Sequence, residues 1–453
     1  MKLRVFTGIA AVSLLILQAM PERIVAQATP KFSVLHTFTG SDGASPFGSL
    51  IGDSERNLYG TAIGGGANGF GVVFKVDRYG NHESSLYNFQ GGSDGAFPAT
   101  DLHMDESGNL YGTTRGGGQT MSPACTFNPG CGVVFKVDRH GNETPLYAFS
   151  GGSDGYGPSS GVIRDEAGNL YGTTVVGGTS NKLCTGDGPP VTPNCGVVYK
   201  VDPKGNETVL YAFTGGSDGY APYGNLLRDW QGNLYGAASN GGDLTSPFCG
   251  TTVPIVTNNP FNGPVNGCGT VFKIAPSGNF SVEHTFEGKD GGPFPDGWFA
   301  SDLAGNIYGV TGNGGILSGC GGIGCGTIFK IDRHGNEAVL YEFTGAADGA
   351  SPLGSVIRDR EGNLYSTTLS GGDLTDSPCN GIGGCGVVFK LDPWGHQIVL
   401  HTFTGGADGA NPQASLYMDN EGNLYGTTTA GGDPSCNCGV VFKIPLQREN
   451  NEN

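Results

Sequence analysis

The phrase GNLYGTT occurs at 108–114, 168–174 and 422–428, and returns as RNLYGTA at 56–62, GNLYGAA at 232–238, GNIYGVT at 305–311 and GNLYSTT at 362–368. Seven copies of one phrase restrict a chain of 453 residues to a fold that is itself repeated. Between them run seven GVVFKVD-like segments, opening at Gly71, Gly132, Gly196, Gly269, Gly326, Gly386 and Gly439, and seven VLYAFTGGSDG-like segments. The turn residues Asn81, Asn142, Asn206, Asn279 and Asn336 are 61, 64, 73 and 57 positions apart, so the unit tolerates insertion.

Each unit divides into four short strands. In 159–213 these are SSGVIRD, NLYGTTV, CGVVYKVD and ETVLYAF, with the alternation or short apolar runs of half-buried strands. Both hairpins read D-x-x-G-N, where an Asp opens the turn and a Gly takes the left-handed position. Arg56 replaces that Gly in the first unit, at an expected cost of about 1 kcal/mol. Four-stranded units of about 40–50 residues repeated four to eight times predict a β-propeller. The fold class is therefore all-β, a seven-bladed β-propeller with four antiparallel strands per blade. A fourth-strand phrase, FSVLHTF at 32–38, opens the mature chain and a third-strand phrase, CGVVFKI at 438–444, ends it. The first is expected to complete the last blade and close the ring.

The LYGTTxxGG, GVVFKxDxxGN and LYxFTGGxDGxxP phrases resemble the GloVer (Gloeo/Verruco) repeat, a tandem-repeat family of secreted bacterial proteins, across essentially the whole mature chain. The resemblance implies secretion and cell-surface attachment and brings no established activity. The polar end KIPLQRENNEN departs from it by offering no C-terminal anchor.

The first 20 residues place Lys2 and Arg4 before an apolar core from Val5 to Leu17, and Ala26-Gln27-Ala28 offers a cleavage site. Residues 1–28 read as a signal peptide, 29–446 as one propeller domain and 447–453 as a disordered polar tail. An uncleaved anchor is the alternative, because Pro21, Glu22 and Arg23 lengthen the cleavage region, although the apolar core is short of the about 20 residues of a bilayer span. Loss of the leader, which carries a net +2, takes the formal charge from −17 to −19. So acidic a surface argues against nucleic acid and anionic membranes as partners, and the mature chain is expected to be soluble, exported and monomeric.

In a four-stranded blade, the loops from strand two to three and from strand four to the next blade share one face, and the hairpins share the other. All large insertions fall on the loop face, including 177–196 and 241–269, so binding is expected there. The GGSDG phrase adds a ring of carboxylates, Asp42, Asp94, Asp154, Asp218, Asp290, Asp348 and Asp408. They could hold a cation or sugar hydroxyls, or each could simply cap its own turn. The aromatics that follow, Phe47, Phe97, Tyr156, Tyr220, Tyr223, Phe294 and Trp298, could stack on a sugar or pack between blades. The fifth blade departs most from the pattern, with Lys289, Asp296 and Trp298 unique to it.

None of the eight histidines maps to the loop face. His36, His284 and His401 replace the Tyr of LYAF on outer strands, His82, His140, His334 and His396 lie at hairpins, and His103 lies in a first strand. A histidine triad or metal centre on that face is not expected, and no metal or cofactor is assigned. Carboxylate-only catalysis would draw on the Asp ring with Asp187, Asp243, Asp296, Asp373 and Asp433. The sequons at Asn142, Asn206 and Asn279 come from the hairpin phrase and read as turn chemistry.

The twelve cysteines fall into pairs 125/131, 184/195, 249/268, 320/325, 379/385 and 436/438, each in a loop between strands two and three. Cys125 with Cys131, Cys184 with Cys195, Cys249 with Cys268, Cys320 with Cys325, Cys379 with Cys385 and Cys436 with Cys438 read as local disulfides of an exported chain. No loop supplies the ligands of a zinc finger. Cys436-Asn-Cys438 is the tightest ring of the six. Two functions remain: a non-enzymatic binding or scaffold propeller for an extracellular carbohydrate, peptide or protein, and an extracellular polysaccharide hydrolase or lyase using loop-face carboxylates.

Overall fold

The computed structural model describes residues 31–446 apart from 81–82, 99, 119–124, 126–129, 179–194, 247–248, 250–266, 289–294, 296–298, 375–378 and 380–382. The expected leader and polar tail lie outside the described residues. Seven antiparallel sheets follow one another along the chain, six with their strands in chain order and the seventh with the first strand of the chain as its outer edge. The second blade shows the plan, with His103–Met104, Leu110–Thr114, Val133–Val137 and Glu143–Ala148 as strands one to four. Helix is confined to a short 3-10 turn such as Cys320–Gly322, and among the described residues no helix is long and apolar enough to cross a membrane.

The ring closes as the terminal phrases predict. Ser33–Thr37 pairs antiparallel with Val440–Pro445 as the outer strand of the seventh blade, with Ser33 opposite Lys443 and Thr37 opposite Val440. In each blade the register of the fourth strand slips by one residue at the centre, so that Leu35, Leu86, Leu146, Leu210, Glu283, Leu340 and Leu400 have no partner across the ladder. These are β-bulges.

Blades are joined by one aromatic contact repeated around the ring. The Phe that ends each fourth strand meets the aromatic of the next blade's third strand edge to face: Phe38 with Phe74, Phe89 with Phe135, Phe149 with Tyr199, Phe213 with Phe272, Phe286 with Phe329, Phe343 with Phe389, and Phe403 with Phe442. Centroids lie 5.0–5.3 Å apart, the favoured edge-to-face range. All of these rings are fully buried. This contact explains the Gly of LYGTT: a Cβ at Gly112 would stand 2.7 Å from Phe135 Cζ.

Tyr199 is the exception among third-strand aromatics, and its buried hydroxyl has no hydrogen-bond partner. Tyr199→Phe removes an unsatisfied polar group and restores the ring used by the other six blades. It should stabilise the fold by about 1 kcal/mol in denaturant titrations.

The hairpins carry the chemistry of GNLY. Asp105 accepts from the backbone N–H and side-chain amide of Asn109 and from the Tyr111 hydroxyl, at 2.8–3.0 Å. The same Asp–Asn–Tyr staple recurs in the other six blades, for example at Asp53, Asn57 and Tyr59. In the second hairpins Asn142 and Asn206 donate to Asp138 and Asp202, the turn role expected of the sequons. Asn142 is the main reason that Asp138 titrates low, at about 2. Arg56 does adopt a left-handed backbone, φ 68°, and its guanidinium pairs with Glu421 of the seventh blade at 2.6 Å.

The first strands differ from the sequence reading. Two are split into two strands, Ala44–Pro46 with Ile51–Gly52, and Tyr156–Pro158 with Ile163–Arg164. The segment between is off the ladder because seven strands converge at the axis and leave no room for regular pairing.

Candidate functional site

The Asp ring is present but turned outward. Asp94 accepts from the Tyr87 hydroxyl, Gln90 N and Gly92 N, and Asp154 and Asp218 repeat the arrangement with Tyr147 and Tyr211. Asp348 accepts from Tyr341 and Thr344, while Asp42 and Asp408 contact His36 and His401 at 3.1 Å. Each carboxylate thus caps its own turn against its own outer strand, at the seam between blades and away from the axis. Histidines and ring aspartates, separate in the sequence reading, meet at these seams.

Tyr156 is buried in the core cluster with Tyr111, Phe149 and the Cys125–Cys131 disulfide, and Tyr220 packs on the next cluster, so both stand where inter-blade packing places them. Asp290, Asp296, Trp298, Asp187, Lys289 and Phe294 lie outside the described residues. The face partition holds in the hydrogen bonds: Gly66 N donates to Gly40 O, Gly118 N to Gly92 O and Gly178 N to Gly152 O, tying each two–three loop to the preceding four–one loop. Disulfides join Cys125–Cys131, Cys249–Cys268, Cys320–Cys325, Cys379–Cys385 and Cys436–Cys438 in those loops. Cys195 is also disulfide-bonded, and its expected partner Cys184 lies outside the described residues.

Nearer the axis the blades are linked by a belt of hydrogen bonds that the sequence reading did not foresee. Ser355 N donates to Ser415 Oγ, Ser415 N to Ser49 Oγ, and Ser49 N to Asp101 Oδ1 at 2.5 Å. On the other side Gly161 N donates to Asn225 Oδ1, and Asn225 Nδ2 to Asp101 Oδ2 at 2.6 Å. Asn225 of the fourth blade reaches Asp101 of the second because Gly161, between them, has no side chain. Burial raises the Asp101 pKa against the lowering effect of these donors.

Above this belt, on the loop face, stands Arg115 at the end of the second strand of blade two. Its guanidinium carbon lies 5.1 Å from the Phe47 ring of blade one, and its Nη2 donates to the Tyr223 hydroxyl of blade four at 3.1 Å. A side chain on blade two can touch blade four only beside the axis, so Arg115 marks the mouth of the channel. Its Nε is buried and has no acceptor. Phe47 and Tyr223 were among the aromatics named from sequence; Arg115 was not. The signal was available, because the equivalent residues are Ile63, Val175, Ser239, Gly312, Leu369 and Thr429, and only this copy carries a charge.

The profile of the Gloeobacter/Verrucomicrobia repeat matches residues 24–252 and 255–452. The chain belongs to that repeat family. A search of curated proteins finds no match. Among solved structures, selenomethionine-substituted virginiamycin B lyase from Staphylococcus aureus aligns with a TM-score of 0.53 at 12% identity, covering 92% of this chain and 99% of its own. The tricorn protease aligns over 79% of this chain and 26% of its own, at 11% identity and a TM-score of 0.39. At such identities the first likeness is one of fold alone.

In this member of the Gloeobacter/Verrucomicrobia repeat family, two further carboxyls stand at the seams between blades. Glu143 and Glu207 open fourth strands beside Asp94 and Asp154 of the preceding blades. Burial, followed by the charge of that aspartate, raises their pKa values to about 8 and about 7. A carboxyl raised on folding favours the native state below its unfolded pKa, and that contribution is lost as pH rises through the folded value. These seams should therefore weaken between about pH 5 and 8. Glu143→Gln and Glu207→Gln should raise Tm at pH 8 and flatten its pH dependence, as read by thermal unfolding across that range.

Proposed function

We propose that the protein is an exported, non-enzymatic binding propeller that takes an anionic group of an extracellular carbohydrate, peptide or protein at the loop-face mouth of its channel. The observation that carries this reading is Arg115, braced between Phe47 and Tyr223 above a belt of hydrogen bonds. A guanidinium held by a ring face on one side and a hydroxyl on the other is oriented before a ligand arrives, which reduces the entropy lost on binding. Phe47 and Tyr223 are half-buried and offer ring surface beside the charge. The disulfides in the surrounding loops fit both a fixed rim and an oxidising compartment.

The test is a glycan and peptide array on the mature protein with acidic and neutral members, followed by product analysis on each hit. Acidic ligands should bind without turnover, and Arg115→Ala should weaken them by about 10–100-fold, the value of a charge-assisted hydrogen bond. Binding indifferent to Arg115→Ala removes the site, and release of shortened or unsaturated sugars replaces the binding reading with the hydrolase or lyase one.

A further inference from the structure

The seam where the ring closes differs in its side chains from five of the other six. There the outer-strand residue is His36, the turn carboxylate is Asp42, and the residue that opens the neighbouring fourth strand is Glu83. One donor atom from each lies within 4.8 Å of the other two. His36 Nε2 is 3.1 Å from Asp42 Oδ2, and their side chains are only 15% and 18% exposed. Glu83 Oε1 is shielded from solvent and has no hydrogen-bond partner.

Five of the remaining seams are internal controls, since at least one of the three positions carries another group, whereas the seam of His284 has the same three residue types. Where the blade has Tyr87 or Tyr147, a hydroxyl replaces the imidazole and donates to the aspartate. Beside His401 the third position is Phe32, stacked on the imidazole at 3.7 Å, and beside Tyr211 it is Phe280, stacked the same way. Beside Tyr341 it is Gln397, which donates to Asp348 O. His284 faces Glu337 at 3.1 Å, and the third position of that seam, Asp290, lies outside the described residues. Among the described residues, imidazole, aspartate and glutamate converge only at the closure seam.

We infer that His36, Asp42 and Glu83 form a divalent-metal site, of the nitrogen and oxygen donor type that suits zinc, which clamps the closing strand to the first blade. Zinc bound by imidazole nitrogen and carboxylate oxygen at about 2.0–2.2 Å needs donors about 3–4 Å apart, with water completing a four-coordinate shell. The His36–Asp42 spacing already satisfies this. Glu83, with a donor oxygen within 4.8 Å of the other two donors, supplies the third ligand. Two ligands come from the N-terminal segment and one from blade one, so the ion ties the strand that completes the seventh blade to the first blade.

Calorimetric titration of the mature protein with zinc, and cobalt(II) spectra for coordination, test the site. One zinc per chain should bind with a micromolar or lower Kd and raise Tm by about 2–4 °C at saturation. Glu83→Gln and Asp42→Asn should each weaken binding at least 10-fold. His36→Tyr restores the side chain of the tyrosine-bearing blades, so it should fold normally and lose zinc binding at least 100-fold. The inference is overturned if zinc fails to bind below about 100 μM, or if binding survives His36→Tyr or Glu83→Gln in folded protein.

Discussion

Phe38→Ala should cost about 3–5 kcal/mol of unfolding free energy, the range for deleting a buried aromatic ring. Phe38 is fully buried, meets Phe74 edge to face at 5.0 Å and touches His36 at 4.7 Å. Its position gives the variant a second meaning. The other six rings sit on strands continuous with the rest of their own blade, whereas Phe38 is held in the seventh blade only because Ser33–Thr37 has docked on Val440–Pro445. Phe149→Ala, at an interface within the chain, is the reference and should cost a similar amount. Guanidinium unfolding of both variants decides the matter: a cost below about 1 kcal/mol for Phe38→Ala, with the full cost for Phe149→Ala, would mean that the N-terminal strand is not part of the folded ring.

The second large effect belongs to Asp101. Asp101→Ala strands the Ser49 N–H and the Asn225 amide, and frees Asn225 to release Gly161 N. Leaving buried donors without acceptors should lower stability by about 2–4 kcal/mol. Asp101→Asn keeps an acceptor for Ser49 but sets one amide NH2 against another, so it should recover only part of the loss. Thermal and denaturant unfolding of the two variants provide the measurement. A change under about 0.5 kcal/mol in Asp101→Ala would show that the belt does not support the ring. Because the belt lies beneath Arg115, the same variants should also weaken whatever binds at the mouth.

The fold was legible because its determinants are local and repeated. Each hairpin Asp, Gly and Asn acts within five residues, and the phrase at 32–38 matches six others closely enough to show which ladder it must join. The candidate site was only half legible. Phe47 and Tyr223 could be named as aromatics near the inner strands, but nothing local says that they flank a residue 68 positions from one and 108 from the other. The GGSDG aspartates were read in two ways, as a ring of ligands or as caps of their own turns. Their repetition drew attention to the face they occupy, whereas the hydroxyl of each blade's own Tyr decides where they point. Arg115 and Asp101 show the better signal, which is the charged residue that breaks a repeat at an inward position.

The slipped register at the middle of each outer strand bears on how copies of the molecule behave together. A propeller presents seven sheet margins to solvent, and a straight, exposed margin is a template on which another chain can add a strand. At Leu86, Leu146 and their counterparts the margin is kinked by one extra residue, so donors and acceptors on either side are out of step for an incoming straight strand. The repeat thus protects against side-by-side fibre growth seven times over.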